Sequence, residues 1–267
     1  MGSGVGHHFF KTMTGWEKLL TDMDVVVNLS GEGIGNKRWT ALQKKKILSS
    51  RIQAGKAIID AIKVVSKNAD KFPKTLVQVS AIGYYGPSRD EEIVETTSPG
   101  KDFLARVCVD WENSTKEAED FGIRRIIIRT GLVLSKGGGV LARILLPFRL
   151  FAGGPIGSGK QWYSWIHIRD EVEAIRFLVE SESASGAYNL TAPNPLTNAE
   201  FGRQAAKALH RPYWLSAPAA ALRLALGEMS TLVLDGQKVL PKRLVEAGFQ
   251  FNYTNLDSAL QELVGGK

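Results

Sequence analysis

Three short apolar runs, each leading into small or polar residues, punctuate the first half of the chain: Val25–Leu29, Leu76–Ser80 and Ile126–Thr130. Continuous β-branched runs, rather than strict alternation, are the pattern of strands buried on both faces of a sheet. Between the first two runs, Leu42, Ile47, Leu48, Ile52, Ile58, Ile59 and Ile62 recur at helical spacing and predict a helix from about Thr40 to Val65. Between the second and third, Asp102 is placed to cap a helix whose apolar stripe is Phe103, Val107, Trp111 and Ala118. Strands alternating with helices predict an α/β fold, a doubly wound parallel sheet with helices on both faces. Beyond Thr130 the pattern changes. An amphipathic segment starts at Trp165–Asp170, a short strand is expected at Tyr188–Leu190, and Asn198 is placed to cap a helix through Leu209. Pro212, Pro218 and Pro241 then separate shorter helical pieces. These features predict a sheet-bearing domain over 1–192 and a smaller, mainly helical C-terminal lobe over 193–267.

Composition changes this picture little. The 267 residues are 44% hydrophobic and 23% charged, as in ordinary globular proteins. No apolar run is long enough for a membrane helix, and the N-terminus has neither a secretory signal nor an Arg-rich transit pattern. With one cysteine, Cys108, the chain forms no internal disulfide and no cysteine-based metal site, which suits a reducing compartment. A cytoplasmic location is the expectation. The net charge of +7 raises nucleic acid as a partner, but basic residues concentrate only at Lys44–Lys46, with Arg38 and Arg51 nearby. Elsewhere they interleave with acids, and no reading module accompanies them. A solvated helix face or an anionic cofactor fits this distribution better, so a small-molecule substrate is expected, with no nucleic acid and no membrane.

Candidate chemistry gathers at the carboxyl ends of the expected strands, where an open parallel sheet binds its ligands. Asn28–Gly31 follows the first strand, and Ser80–Gly86 follows the second. A hydroxyl such as that of Ser80 can polarise a substrate carbonyl or alcohol. Cys108 reads as a thiol packed between Val107 and Trp111, and His167 as a structural histidine. The Gly2, Gly4 and Gly6 spacing resembles a phosphate loop but has no strand before it and reads as a flexible end. No His, Asp or Glu group has metal-ligand spacing, so no metal is expected.

Longer motifs carry a family resemblance from about Trp16 onward. They are NLSGE at Asn28–Glu32, VSAIGYYG at Val79–Gly86, DFLARVCVDWE at Asp102–Glu112 and RTGLVLSKGGG at Arg129–Gly139. LLPFRLFAGGPIGSGKQWYSWIHIRD at Leu145–Asp170, NLTAPNPLTNAEF at Asn189–Phe201 and DGQKVLPKRL from Asp235 continue the set. In these the chain resembles an atypical extended short-chain dehydrogenase/reductase of the NAD-dependent epimerase/dehydratase superfamily, with a C-terminal domain of unknown function. The resemblance implies a Rossmann-like sheet, an NADP cofactor (NAD is the alternative), and an epimerase or oxidoreductase activity. It places Leu29, Ser30, Gly31, Arg51 and Val133 around the dinucleotide, with Ser80 as the remaining catalytic candidate. Two departures follow from it. The first βαβ unit of the family, with its glycine-rich loop, is not in this sequence, which implies a weakened grip on the pyrophosphate. The family's catalytic Tyr and Lys fall on Leu104 and Cys108, and Arg51 stands where Asn is usual. The expectation is therefore an atypical NAD(P)-dependent enzyme. A non-catalytic dinucleotide-binding or interaction protein is the alternative, and an incomplete product without independent activity is a third reading.

Overall fold

The computed structural model describes residues 15–68, 71–88 and 90–265. The glycine spacing at Gly2–Gly6 and the neighbouring His7 and His8 lie outside the described residues. The elements that position the site are β1 (Val25–Asn28), α1 (Ala41–Asn68), β2 (Thr75–Ala81), α2 (Phe103–Asn113) and β3 (Arg124–Thr130). After them come β4 (Leu132–Leu134), α3 (Gly139–Arg149), β5 (Trp165–His167), α4 (Ile168–Glu180), β6 (Gly186–Leu190), α5 (Asn198–Leu209), α6 (Ala219–Leu226) and α7 (Leu256–Gly265).

The fold is α/β and Rossmann-like, with a parallel sheet in the order β1-β2-β3-β6. Alternation along the strands feeds two cores. Val26 and Leu76 face α1 through Ile58, Ile59, Ile62 and Val65. Val25 and Val77 face the opposite layer, with Ala174 and Leu178 of α4 and Leu244 and Phe249 further on. Helices thus cover both faces, which is why the strand sequences are apolar on successive residues. The short strand expected at Tyr188–Leu190 begins two residues earlier and is the fourth member of this sheet. Arg124 locks that corner. Its guanidinium donates to the carbonyls of Leu178, Val179, Ser181 and Ala184 at the end of α4, and to Thr75 Oγ1.

A third cluster joins Leu134, Leu141, Leu145 and Trp165 to Phe201, Leu256 and Leu260, so α5 and α7 share a core with elements before residue 193. Two local expectations need correction. Ala118 is buried but lies in a separate 3-10 turn, because α2 ends at Asn113. The cap of α5 is Thr197 rather than Asn198: Thr197 Oγ1 accepts from Glu200 N while Glu200 reaches back to Thr197 N, a capping box. No described helix is long and apolar enough to cross a membrane.

Candidate active site

At the end of β1 the Asn28 amide donates to Gln78 Oε1 at 2.9 Å and its Oδ1 accepts from Ser30 N at 3.2 Å, turning the chain out of the sheet. Leu29 is left 65% exposed, and the turn carries Gly31 onto the side chain of Arg51. A Cβ on Gly31 would fall 2.9 Å from Arg51 Cζ, so a side chain there would displace the guanidinium from its present position. Arg51 Nη1 donates to the carbonyls of Glu32 (2.9 Å) and Ile47 (3.0 Å), and the guanidinium lies 4.7 Å from the centre of the Trp111 ring. Burial lowers the Arg51 pKa, a cost that the Cys108 and Glu32 charges partly offset.

Arg51 opens onto a cavity of about 320 Å³. Ala81 to Gly83 at the end of β2 and Thr130 to Leu132 at the end of β3 form its floor. One wall is α2, from its cap Asp102 through Leu104 and Cys108 to Trp111. The facing wall comes from Trp162–Ser164 and from Thr231–Gln237. Asp102 Oδ1 accepts from Leu104 N and Ala105 N, as an N-cap should, while Oδ2 is buried without a hydrogen-bond partner among the described residues. Trp111 Nε1 is likewise buried and unpartnered. Burial, countered by Arg223 and reinforced by the nearby Asp102, raises the Asp235 carboxyl above the usual carboxylate range.

The structure brings the sequence-derived candidates together unevenly. Gly31 and Arg51 touch, and Arg51 lines the cavity. Ser80 is buried within the sheet end, where its hydroxyl meets only the Cys108 thiol, a weak partner, and the adjacent Ala81 faces the cavity instead. Val133 packs into the second core, and its neighbour Leu132 reaches the cavity. Cys108 is 4% exposed. Burial first, and then the Glu112 charge, push its thiol up to about 11. A thiol reagent is therefore expected to label the native protein at least about a hundredfold more slowly than the urea-unfolded chain; equal rates would show an accessible, activated thiol.

His167 lies outside this cavity. Its Nδ1 accepts from Arg169 N, its Nε2 pairs with Glu262, and its ring stacks on Tyr253, which are the satisfied contacts of a structural histidine. Asp102 was legible only as a helix cap. The wall of Trp39, Trp162, Leu232 and Asp235 was not legible as a site, because residues scattered over the chain converge there without shared periodicity.

Comparison with known proteins agrees with this geometry. The model of the NAD dependent epimerase/dehydratase family matches residues 11–191, and a domain of unknown function (DUF1731) matches 217–263. An epimerase family protein of Staphylococcus aureus (strain N315) is 46% identical over 254 residues, covering 94% of this chain and 83% of its own. The crystal structure of human epimerase family protein SDR39U1 (isoform 2) with NADPH superposes with a TM-score of 0.86 at 35% identity, over 94% of this chain and 86% of that one. A nucleoside-diphosphate sugar epimerase from Corynebacterium glutamicum gives 0.74 at 32% identity, over 93% of this chain and 48% of that one.

Proposed function

The chain belongs to the NAD-dependent epimerase/dehydratase family, and from that premise we propose that it is an NADP(H)-dependent oxidoreductase or epimerase-like enzyme acting on a small molecule in the cavity beside α2. The observation that carries this reading is the placement of Arg51. A guanidinium beside a close-approach glycine, over the carboxyl ends of parallel strands, fits a dinucleotide phosphate. The cocrystallised NADPH of the human relative favours NADP over NAD. In this reading Leu29, Ser30, Gly31 and Arg51 surround the dinucleotide together with the turn at Val133, whose side chain packs into the core while Leu132 faces the cavity. The sheet-bearing domain over 1–192 binds the dinucleotide, and 193–267 form a lobe that closes the substrate side. Cytoplasmic residence belongs to the same reading and is supported by the low cysteine usage, one residue in 267.

When bound, the dinucleotide supplies reversible hydride transfer; the remaining work falls to this chain. Leu104 and Cys108 cannot form the usual Tyr–Lys relay, since Leu has no proton to give and a thiol held near 11 stays neutral. Ser80 is the polar group remaining from that trio but lies buried behind Ala81, and Asp235 is a carboxyl on the cavity wall whose pKa partial burial raises. The aromatic walls exclude water. The absent relay favours a second reading, a protein that binds the dinucleotide without turning it over.

Arg51→Ala is the test. Loss of charged hydrogen bonds of about 1.5–3 kcal/mol should raise the NADPH dissociation constant by roughly 10- to 150-fold in calorimetry. An unchanged constant, or no saturable NADPH binding by the unaltered protein, would overturn the proposal. Oxidation of bound NADPH by a carbonyl panel separates catalysis from binding alone.

A further inference from the structure

We propose that the cavity is polarised along α2, and that its Asp102 end takes a compact, largely apolar molecule that is uncharged or cationic and carries a hydrogen-bond donor, not a nucleoside-diphosphate sugar. This substrate class rests on the reading of the cavity as the reaction site of an NADP(H)-dependent protein.

The two ends of the helix set the polarity. Trp111 stands nine residues after Asp102, which on an α-helix separates them by roughly 13 Å. At the Trp111 end the cavity offers a charged donor, the Arg51 guanidinium stacked over the Trp111 ring. That end suits the anionic cofactor. At the Asp102 end it offers acceptors, the Asp102 and Asp235 carboxyls, close enough for the charge of one to raise the other. Glu228, the third acid on the wall, is neutralised by an ion pair with Lys44. Between the ends α2 presents Phe103, Leu104, Val107 and the un-ionised Cys108 thiol.

A diphosphate at the acidic end would lie against two carboxylates. The usual anion site at a helix start is already taken there, because Asp102 Oδ1 occupies the first N–H groups of α2. Among the residues lining the cavity Arg51 is the sole cation, and it lies at the other end; the Arg223 charge reaches Asp235 only from outside the lining. Conversely, Asp102 Oδ2 is a buried acceptor without a partner, and such groups are rarely left so. A hydroxyl or ammonium donor in the cavity meets the accessible Asp235 carboxyl beside it, while the edge-to-face pair of Trp39 and Phe103, ring centres 5.2 Å apart, and Trp162 line the space for an apolar body.

The test uses the three cavity tryptophans as reporters in the intact chain. Tryptophan fluorescence is titrated with 2-phenylethanol, 2-phenylethylamine, phenylacetate and UDP-glucose, and NADPH binding is measured separately by calorimetry. The alcohol and the amine should give saturable changes, phenylacetate should bind at least about tenfold more weakly, and UDP-glucose should give none. Replacing both acids, Asp102→Asn with Asp235→Asn, keeps an amide able to cap α2 and should erase the preference for amine over phenylacetate. Phenylacetate binding as tightly as the amine, saturable binding of UDP-glucose, no response to the alcohol and the amine, or a preference that survives both substitutions would overturn the inference. An amine preference retained in protein that fails to bind NADPH would count against the cofactor reading and uphold the acidic-end assignment.

Discussion

Glu112→Ala should cost this protein about 3–5 kcal/mol of stability, the usual penalty for removing one partner of a buried ion pair. Glu112 and Arg129 meet through two parallel bonds of 2.9 Å, Nε to Oε1 and Nη2 to Oε2, with side chains only 8% and 6% exposed. The pair sits inside a larger network. Arg129 Nη1 donates to Tyr85 Oη at 3.0 Å and to the Glu95 carbonyl, and Tyr85 donates to Asn189 Oδ1 at 2.6 Å. The Arg129 guanidinium also lies 3.4 Å from the centre of the Tyr84 ring. Burial pushes the Tyr85 hydroxyl up to about 12, so it remains a neutral donor to Asn189. Without Glu112 the guanidinium loses its one carboxylate hydrogen-bond partner and stays buried on the Tyr85 hydroxyl and the Glu95 carbonyl, a desolvated charge without a bonded counter-charge. Urea denaturation measures the loss, which should appear in a thermal scan as a fall on the order of 10 °C. A loss below about 1 kcal/mol would mean that water reaches the pair. Because Glu112 and Cys108 share one face of α2, this network also anchors the helix that forms the cavity wall.

Glu171→Gln should stabilise the protein above neutral pH and leave it little changed at pH 4. Burial, offset in part by the hydrogen bond from Thr130, pushes the Glu171 carboxyl up from 4.5 to about 7. Thr130 Oγ1 donates to Oε1 at 2.8 Å, while Oε2 is buried with no partner among the described residues. The folded state therefore holds its proton over a range where the unfolded state has released it. Between about 4.5 and about 7 the native form binds more protons, so this group's contribution falls as pH rises and is flat above that window. At ~1.4 kcal/mol per pH unit the total is roughly 3 kcal/mol. Glutamine keeps an acceptor for Thr130 and cannot ionise. The stability difference between variant and native protein, from denaturation at a series of pH values, should grow across that window in favour of glutamine. A constant difference would show that the carboxyl ionises freely in the folded protein.

The parts of the fold that were legible in the sequence are those in which one element's burial shows in its own residues. The valine and isoleucine runs of β1, β2 and β3 are apolar on consecutive positions because helices cover both sheet faces, and their parallel pairing follows from the helices between them. The start of α2 was legible because Asp102 caps it within three residues. The loop Asn28–Gly31 was legible as the turn after its strand, whereas Arg51, on the following helix, was pointed to by the family resemblance and the structure sets it against Gly31. What required the tertiary structure is everything in which partners are distant in sequence. Short β6 was separated from the sheet motifs by more than fifty residues, yet hydrogen bonds to β3 make it the fourth strand. Ser80 and Ala81 are adjacent, but the pleat turns their side chains to opposite faces, so Ala81 and not Ser80 reaches the cavity. Asp235 comes within range of the Asp102 charge across 132 intervening positions, and no local spacing encodes that approach. The sequence by itself determined the strands, the helices between them and the turn that meets Arg51, because these rest on local periodicity and short-range hydrogen bonds. Only the tertiary structure decided where along the cavity wall Arg51, Asp102 and Asp235 stand, because side chains distant in sequence are brought to one cavity by long-range packing alone.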